Sequence, residues 1–127
     1  MATIFTRIVR GEIPCYKVAE NEEFFAFLDI NPVQKGHTLV IPKEETDYLF
    51  DIDDEKLGRM MIFAKQVAAQ IKSKIECKRV AVVVLGLEVP HAHIHLIPIT
   101  NEADVDFKHK VELSADEFNL ISESLKF

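Results

Sequence analysis

The chain has 127 residues, of which 48% are hydrophobic and 28% charged, and a formal net charge of −6. This length suits a single domain over residues 1–127, and the composition is that of a soluble globular protein. The negative charge argues against a general nucleic-acid binder, because phosphate backbones attract basic surfaces. The sequence shows no signal-peptide pattern, transmembrane stretch or CxxC pair, so we expect a cytoplasmic protein that does not bind membranes.

The N-terminal part of the chain predicts a short helix followed by strands. The helix covers residues 3–9, where apolar side chains recur at helical spacing, and Gly11 ends it. Three strands rich in β-branched and aromatic residues are expected, at 16–20, 24–30 and 37–42. A turn or short helix is expected at 47–52.

The most regular pattern in the chain is a long amphipathic helix that begins at Asp53. Its first turn is acidic and its last turn carries two lysines, as the helix macrodipole favours. Its apolar stripe, which we expect to face the core, consists of Leu57, Met60, Met61, Ala64, Val67, Ala68 and Ile71.

Two more strands and a helix complete the predicted fold. The strands cover 80–87 and 91–98, and a polar, irregular segment follows at 101–111. Ser114 and Glu117 form a capping-box pattern that begins a C-terminal helix. The apolar side of that helix consists of Phe118, Ile121 and Leu125. Strands and helices that do not strictly alternate predict an α+β fold with a mostly antiparallel sheet.

Three of the five histidines stand in one row, at His91, His93 and His95. On a strand, with its two-residue period, they share one face, and the apolar residues between them share the other. The remaining two are His37, on the third predicted strand, and His109, which we interpret as solvated. Because a strand holds alternate side chains at fixed spacing, this histidine row is a candidate site.

Three interpretations of the row are open from the residues alone. The histidines could belong to an ordinary half-buried strand, which would require hydrogen-bond partners for each. They could bind zinc with His95 or His37 as a third ligand, although structural zinc sites usually have four protein ligands and the chain has no cysteine cluster. They could also act on phosphorus, with one neutral imidazole as nucleophile and its neighbours fixing the tautomer and donating hydrogen bonds to negative oxygens.

Four blocks of sequence, in the right order, resemble the histidine triad superfamily. Residues 91–97, HAHIHLI, match its His-φ-His-φ-His-φ-φ signature. Residues 3–5 and 10–14 look like the family's opening, and residues 27–32 and 36–43 look like its central block. The chain is most similar to the nucleotide-binding branch, which includes purine nucleoside phosphoramidases. The resemblance implies an antiparallel sheet of five strands with one long helix packed on it, a C-terminal helix, and a homodimer.

The resemblance also implies an activity: hydrolysis of a phosphoramidate or dinucleoside polyphosphate at the α-phosphorus, through a nucleotidyl-histidine intermediate and without cofactor or metal. It assigns His93 as the nucleophile, with His91 orienting it through a hydrogen-bond relay along the strand. His95 and His37 would contact phosphate oxygens or support the row, and Asp29 would accept hydrogen bonds from the ribose. The apolar slot for the base would be formed by Ile4, Phe5, Ile8, Phe27 and Ile30. Judged without the resemblance, those five would be core residues and Asp29 a turn-former.

The chain departs from the family in two places. Many relatives carry a longer loop before the row, with a Gln-Ser or Gln-Thr pair that contacts the scissile phosphate; here Leu87 and Glu88 take those positions. An ionised Glu88 would repel phosphate, and would help only as a proton donor or by binding an ammonium-like leaving group. Bacterial relatives often bind structural zinc through two cysteines, which here read Thr3 and Thr6. Because Glu88 is present and the Gln-Ser pair is missing, a nucleotide-binding or partner-binding module with weak or lost catalysis stays open as an alternative.

Overall fold

The computed structural model describes residues 2–127, which form a five-stranded antiparallel sheet with helices packed on it. The strands are β1 (Lys17–Glu20), β2 (Phe24–Leu28), β3 (Thr38–Pro42), β4 (Arg79–Val83) and β5 (Ile94–Ile99). The helices are α1 (Ile4–Val9), α2 (Asp54–Lys74) and α3 (Ala115–Leu125), with 3-10 helices at Leu49–Asp51 and Glu102–Asp104. The predicted α+β fold is thus confirmed. Within residues 2–127, no helix combines the length and the apolar character needed to cross a membrane.

The strand order in the sheet is β1-β2-β3-β5-β4, and each neighbouring pair is antiparallel. β5 therefore lies beside β3, with Leu39 opposite His95. This register brings the end of the histidine row next to His37, which immediately precedes β3. The sheet thereby joins two parts of the chain that are 58 residues apart.

The two faces of the sheet pack against different partners. On one face, α2 and α3 cover the larger core, to which Ala92, Ile94 and Leu96 belong. On the other face, α1 contributes to a smaller cluster formed by Phe5, Phe25, Phe27, Leu39 and Ile41. The predicted alternation is therefore observed, because the apolar residues between the histidines face the long helix.

The long helix α2 begins where the sequence predicts. The Asp53 carboxylate caps it by accepting a hydrogen bond from the Lys56 N–H at 2.9 Å. Its buried residues are Met60, Phe63, Ala64, Val67 and Ile71. Phe63 was absent from the predicted stripe, and the inclusion of Met61 was wrong, since Met61 is 45% exposed. At 100° per residue, Phe63 lies about 40° from Val67 and about 60° from Met60 around the helix, on the core side, whereas Met61 lies about 100° from Met60 in the other direction and points away from the core.

The C-terminal helix α3 confirms its predicted start. The Ser114 hydroxyl accepts a hydrogen bond from the Glu117 N–H, and the Glu117 carboxylate accepts one from the Ser114 N–H, both at 3.1 Å. The helix buries the expected residues, Phe118, Ile121 and Leu125.

The fourth strand is shorter than predicted. β4 ends at Val83 rather than at Leu87. Gly86 has a positive φ of 71°, a backbone conformation outside any strand. The segment from Val84 onward is therefore a loop that leads into the histidine row.

Candidate active site

The site is a row of four histidines, His91, His93, His95 and His37. The ring centroids of His93 and His95 are 4.9 Å apart, and those of His95 and His37 are 5.1 Å apart. Phe5 packs edge-on against the other end, 5.0 Å from the His93 ring and 5.7 Å from the His91 ring. All four histidines are buried, with exposures of 0–7%.

Only part of this row belongs to a regular strand, so the prediction of a strand over 91–98 was wrong at its start. β5 begins at Ile94. The His91 N–H donates to the Val89 carbonyl at 2.8 Å, and the Ala92 N–H donates to the Thr46 carbonyl at 2.6 Å. These two bonds hold the segment before β5 in place. They do not belong to the regular hydrogen-bond pattern between the strands of the sheet.

Within residues 2–127, one ring nitrogen of His93 has a hydrogen-bond partner and the other has none. Its Nδ1 lies 2.7 Å from the main-chain carbonyl oxygen of His91. Because a carbonyl can only accept, Nδ1 carries the proton and Nε2 keeps its lone pair. The contact with His91 expected from the resemblance therefore runs through the main chain of His91 and not through its ring.

The His91 ring is fixed by a hydrogen-bond network of hydroxyls and one carboxylate. Its Nε2–H donates to the Pro42 carbonyl at 2.8 Å, and its Nδ1 accepts from the Thr3 hydroxyl at 2.7 Å. Glu45 accepts from the Thr6 hydroxyl at 2.6 Å and from the Thr3 N–H. Burial lowers the pKa of His91 and keeps the ring neutral, although the Pro42 bond and the charge of Glu45 act in the opposite direction.

His37 and His95 form a buried imidazole pair. The Val33 N–H donates to His37 Nδ1 at 3.0 Å, and His37 Nε2 lies 2.9 Å from His95 Nδ1. Since His37 Nδ1 accepts, its Nε2 carries the proton and donates it to His95. His95 is thereby left with its own proton on Nε2, where it can serve as a donor to a ligand.

Both rings of the imidazole pair are neutral near pH 7. Burial, with smaller contributions from the neighbouring charges, lowers the pKa of His37 from 6.5 to about 3. Burial, then the charges of His93 and Lys110, lowers the pKa of His95 to about 4. The site therefore presents uncharged imidazoles with defined tautomers.

Gly36 sets the entry of His37 into this pair. It has a φ of 94°, and a Cβ added at this position would overlap the Cδ1 of Ile75 at the end of α2. The positive φ favours glycine at this position, and a larger residue would also displace the end of the Ile75 side chain.

Asp29 lies beside the imidazole pair, just after β2. Its Oδ1 accepts from the Asn31 N–H at 2.8 Å, while its Oδ2 lies 3.6 Å from His37 Nε2. Burial raises the pKa of this carboxyl, and the Asn31 bond and the positive charge of Lys110 oppose the rise. Asp29 thus forms the turn while it also faces the site.

The residues expected to form the apolar slot differ in burial. Phe5 and Phe27 are buried, with their rings edge to face at 5.6 Å. Ile8 is half-buried, whereas Ile4 is 49% and Ile30 66% exposed. The first two therefore belong to the smaller core, and the two exposed isoleucines are apolar surface.

Two residues near the site were missed by sequence reasoning. The Phe107 ring lies edge-on to His95 at 5.1 Å and to His37 at 6.2 Å. The Lys110 ammonium lies 5.1 Å from the centre of the Phe107 ring. The one available signal was an aromatic residue within a polar, irregular segment. In contrast, Glu88 and His109 are exposed, as expected for a loop and a surface residue.

The geometry does not favour the zinc site that the residues left open. Both ring nitrogens of His91 are occupied by protein hydrogen bonds. Among residues 2–127, the group able to hold a metal ion is Asp29, His37 and His95, whose ligand atoms lie within 4.8 Å of one another. A cation there would have to displace the proton shared by the two histidines. The arrangement suits nucleophilic chemistry better.

Taken together, an antiparallel α+β sheet and a buried histidine row in which His93 Nε2 keeps its lone pair define a protein of the histidine triad class. The HIT domain family model matches residues 10–102. The chain belongs to the HIT domain family.

Relatives and solved structures agree with this assignment. The chain is 36% identical over 128 residues to an uncharacterized HIT-like protein of Borreliella burgdorferi, covering 94% of this chain and 92% of that one. It is 39% identical over 103 residues to an adenosine 5'-monophosphoramidase of Schizosaccharomyces pombe, covering 80% and 77%. A HIT-like protein from Bartonella henselae has a similar structure, with a TM-score of 0.85, 27% identity and coverage of 98% and 93%.

Proposed function

We propose that this protein is a nucleotidyl hydrolase or transferase that acts at the α-phosphorus of a nucleoside monophosphate derivative, of the phosphoramidate or dinucleoside polyphosphate class. The observation that carries the proposal is the bond from His93 Nδ1–H to the His91 carbonyl at 2.7 Å, which leaves Nε2 free to attack. The similarity to an adenosine 5'-monophosphoramidase at 39% identity supports the same reaction class.

In the first step, His93 Nε2 forms a bond to phosphorus, and the bond from phosphorus to the leaving group breaks. The leaving group keeps the electron pair, and an amine leaving group also takes up a proton. The His93 ring becomes positively charged, and the His91 carbonyl, which accepts from Nδ1–H, stabilises that charge. In the second step, water attacks phosphorus and releases a proton to the solvent. The bond to Nε2 breaks, its electron pair returns to the ring, which becomes neutral again, and a nucleoside monophosphate leaves.

The other residues bind and orient the substrate. His95 Nε2–H donates to a non-bridging phosphate oxygen, and His37 fixes the tautomer that makes this possible. Asp29 has carboxylate lone pairs left for the ribose hydroxyls. The base lies against the apolar residues that include Ile4 and Ile30. Glu88, at the loop before the row, approaches the leaving-group side.

We also infer that the protein acts as a homodimer. β4 is an edge strand of the sheet, and Val82 on this strand and Leu85 after it are each 52% exposed. An unpaired edge with apolar side chains is a surface that a second strand can cover. Light scattering should give the mass of two chains; a stable monomer at micromolar concentration would contradict this inference.

The test of the reaction is rapid quenching during incubation with an adenosine 5'-phosphoramidate, followed by mass spectrometry of the intact protein. The wild type should gain a nucleotidyl mass, and His93→Ala should not. A variant that retains full turnover without His93 would overturn the mechanism.

A second candidate function is a nucleotide-binding or partner-binding module with weak catalysis. It is favoured by one observation, namely that Leu87, 91% exposed, and Glu88 stand where relatives carry polar residues. The double substitution Leu87→Gln and Glu88→Ser separates the two candidates. A sharp gain in turnover would favour the module with impaired catalysis, and an unchanged rate would favour the hydrolase as it stands.

A further inference from the structure

The segment from Thr100 to Val111 is held over one end of the site at several points. The Asp104 carboxylate accepts hydrogen bonds from the N–H groups of Thr100 and Asn101, at 2.7 and 3.1 Å. The Gln34 side chain donates to the Asp104 carbonyl at 3.0 Å. The Val111 N–H donates to the Pro32 carbonyl at 2.8 Å. The segment is therefore fixed to the loop between β2 and β3, which carries both Asp29 and His37.

Within this segment, Phe107 packs against the imidazole pair. Its ring plane is nearly perpendicular to the rings of His95 and His37, at 77° and 79°. An edge-on aromatic contact of this kind restricts both rings and excludes water from one side. Phe107 also carries the Lys110 ammonium 5.1 Å from its ring centre, within the range of a cation–π contact. Lys110 is thus held against the same aromatic ring that packs on His95.

The groups around the row are neutral or acidic, and Lys110 can supply the positive charge that favours phosphate binding. Asp29 and Glu88 are acidic, and burial keeps His91, His95 and His37 neutral. A phosphate group entering such a site meets neutral donors and negative carboxylates, so a nearby cation would strengthen its binding.

We propose that Lys110, positioned by Phe107, is a substrate-binding residue that supplies the positive charge for the phosphate of the bound nucleotide. This proposal rests on the proposed nucleotide site. It is supported by the charge of Lys110, which lowers the pKa values of Asp29, His37 and His95. Burial has the larger effect on each of these pKa values. The role is specific to phosphate, because the ribose and base lie against other residues.

The test compares the binding of AMP with that of adenosine, measured by calorimetry on the full chain at low salt. Lys110→Met should weaken AMP binding about tenfold, the loss of one charge-assisted contact at a partly solvated site. It should leave adenosine binding unchanged. Lys110→Arg should restore AMP binding. The matched control is Lys108→Met, an exposed lysine on the same turn, which should change neither ligand.

Three outcomes would count against the proposal. Equal loss of AMP and adenosine binding in Lys110→Met would indicate a structural role and overturn it. Unchanged AMP binding in that variant, with normal wild-type turnover, would overturn it while leaving the hydrolase intact. A wild type that binds neither ligand would overturn it together with the nucleotide site. Conversely, Lys110→Met could lose AMP binding alone while the wild type shows no turnover. That result would support the role of Lys110 and refute the hydrolase.

Discussion

The two ends of the histidine row are held in different ways. At one end, His91 is fixed by the Thr3 hydroxyl and the Pro42 carbonyl, in a network that reaches the exposed carboxylate of Glu45. At the other end, His37 and His95 hold each other, with Val33 and Phe107 as partners. At the first end, the partners of His91 are a hydroxyl and a carbonyl, which do not titrate near neutral pH, so only the His91 ring has to stay neutral. The second end depends on two imidazoles staying neutral, so the two ends should respond differently to mutation and to acid.

The largest effect is expected from His37→Ala. The substitution leaves a buried cavity and removes the partners of the Val33 N–H and of His95 Nδ1, so the free energy of unfolding should fall by about 3 kcal/mol. Urea unfolding monitored by circular dichroism measures this loss. A change below about 1 kcal/mol would mean that the imidazole pair does not hold this end.

Acidification should weaken the same end. The pKa values of His37 and His95 are about 3 and about 4 in the folded protein, below the ordinary value of 6.5. Between pH 6.5 and 4, the unfolded chain binds more protons, so the free energy of unfolding falls as pH falls, by about 1 kcal/mol per pH unit for each histidine. The raised pKa of Asp29 acts in the opposite direction at the lower end of this window.

Urea unfolding at pH 7, 6 and 5 checks this slope. In His37→Ala the slope should be smaller than that of the wild type, because one of the three buried rings with a lowered pKa, His37, His91 and His95, is gone. A wild-type free energy of unfolding that is constant across this range would contradict the depressed pKa values.

A smaller effect is expected at the His91 end from Thr3→Val. The variant removes the hydroxyl that donates to His91 Nδ1 and that caps α1, so it should lose about 1 kcal/mol of stability and several-fold in turnover. Thr3→Ser should restore both quantities. The pH slope should match that of the wild type, which separates this end of the row from the imidazole pair.

The smallest effect is expected from Glu45→Gln. The amide oxygen of glutamine can still accept from the Thr6 hydroxyl and the Thr3 N–H, so the melting temperature should change less than in Thr3→Val. Thermal unfolding of both variants in one buffer makes the comparison. A larger drop for Glu45→Gln would mean that the negative charge itself, and not the acceptor geometry, holds His91.

Much of the fold could be predicted because its signals are local. The acidic first turn of α2 and the Ser114–Glu117 box each lie within a few residues, and the structure confirms both helix starts. Positions at the edge of a helical stripe are less certain, as Met61 and Phe63 show. The end of β4 was misjudged because apolar residues continue past Val83 into a loop, where an exposed apolar side chain looks the same in sequence as a strand residue.

The site was predictable only where its residues are neighbours in sequence. The row at 91–95 follows from its two-residue period, and the resemblance added His37 and Asp29. The pairing of His37 with His95 depends on the register between β3 and β5, which no local pattern encodes. Phe107 has no periodic neighbours, and its contact with the row depends on the path of an irregular segment. The Thr3–Glu45 contact joins residues that are 42 positions apart in sequence, and it too depends on the path of the chain and not on a local pattern.

The direction of each hydrogen bond in the row has a consequence for proton movement. His93 gives its Nδ1 proton to a main-chain oxygen, and His37 gives its Nε2 proton to His95. A carbonyl oxygen cannot pass a proton onward, so the row is divided into insulated parts and does not work as a proton wire. In the proposed reaction, any proton that an amine leaving group acquires must therefore come from bulk water or from a group that touches the substrate directly, and a proton relay along the row should add nothing to the solvent isotope effect on turnover.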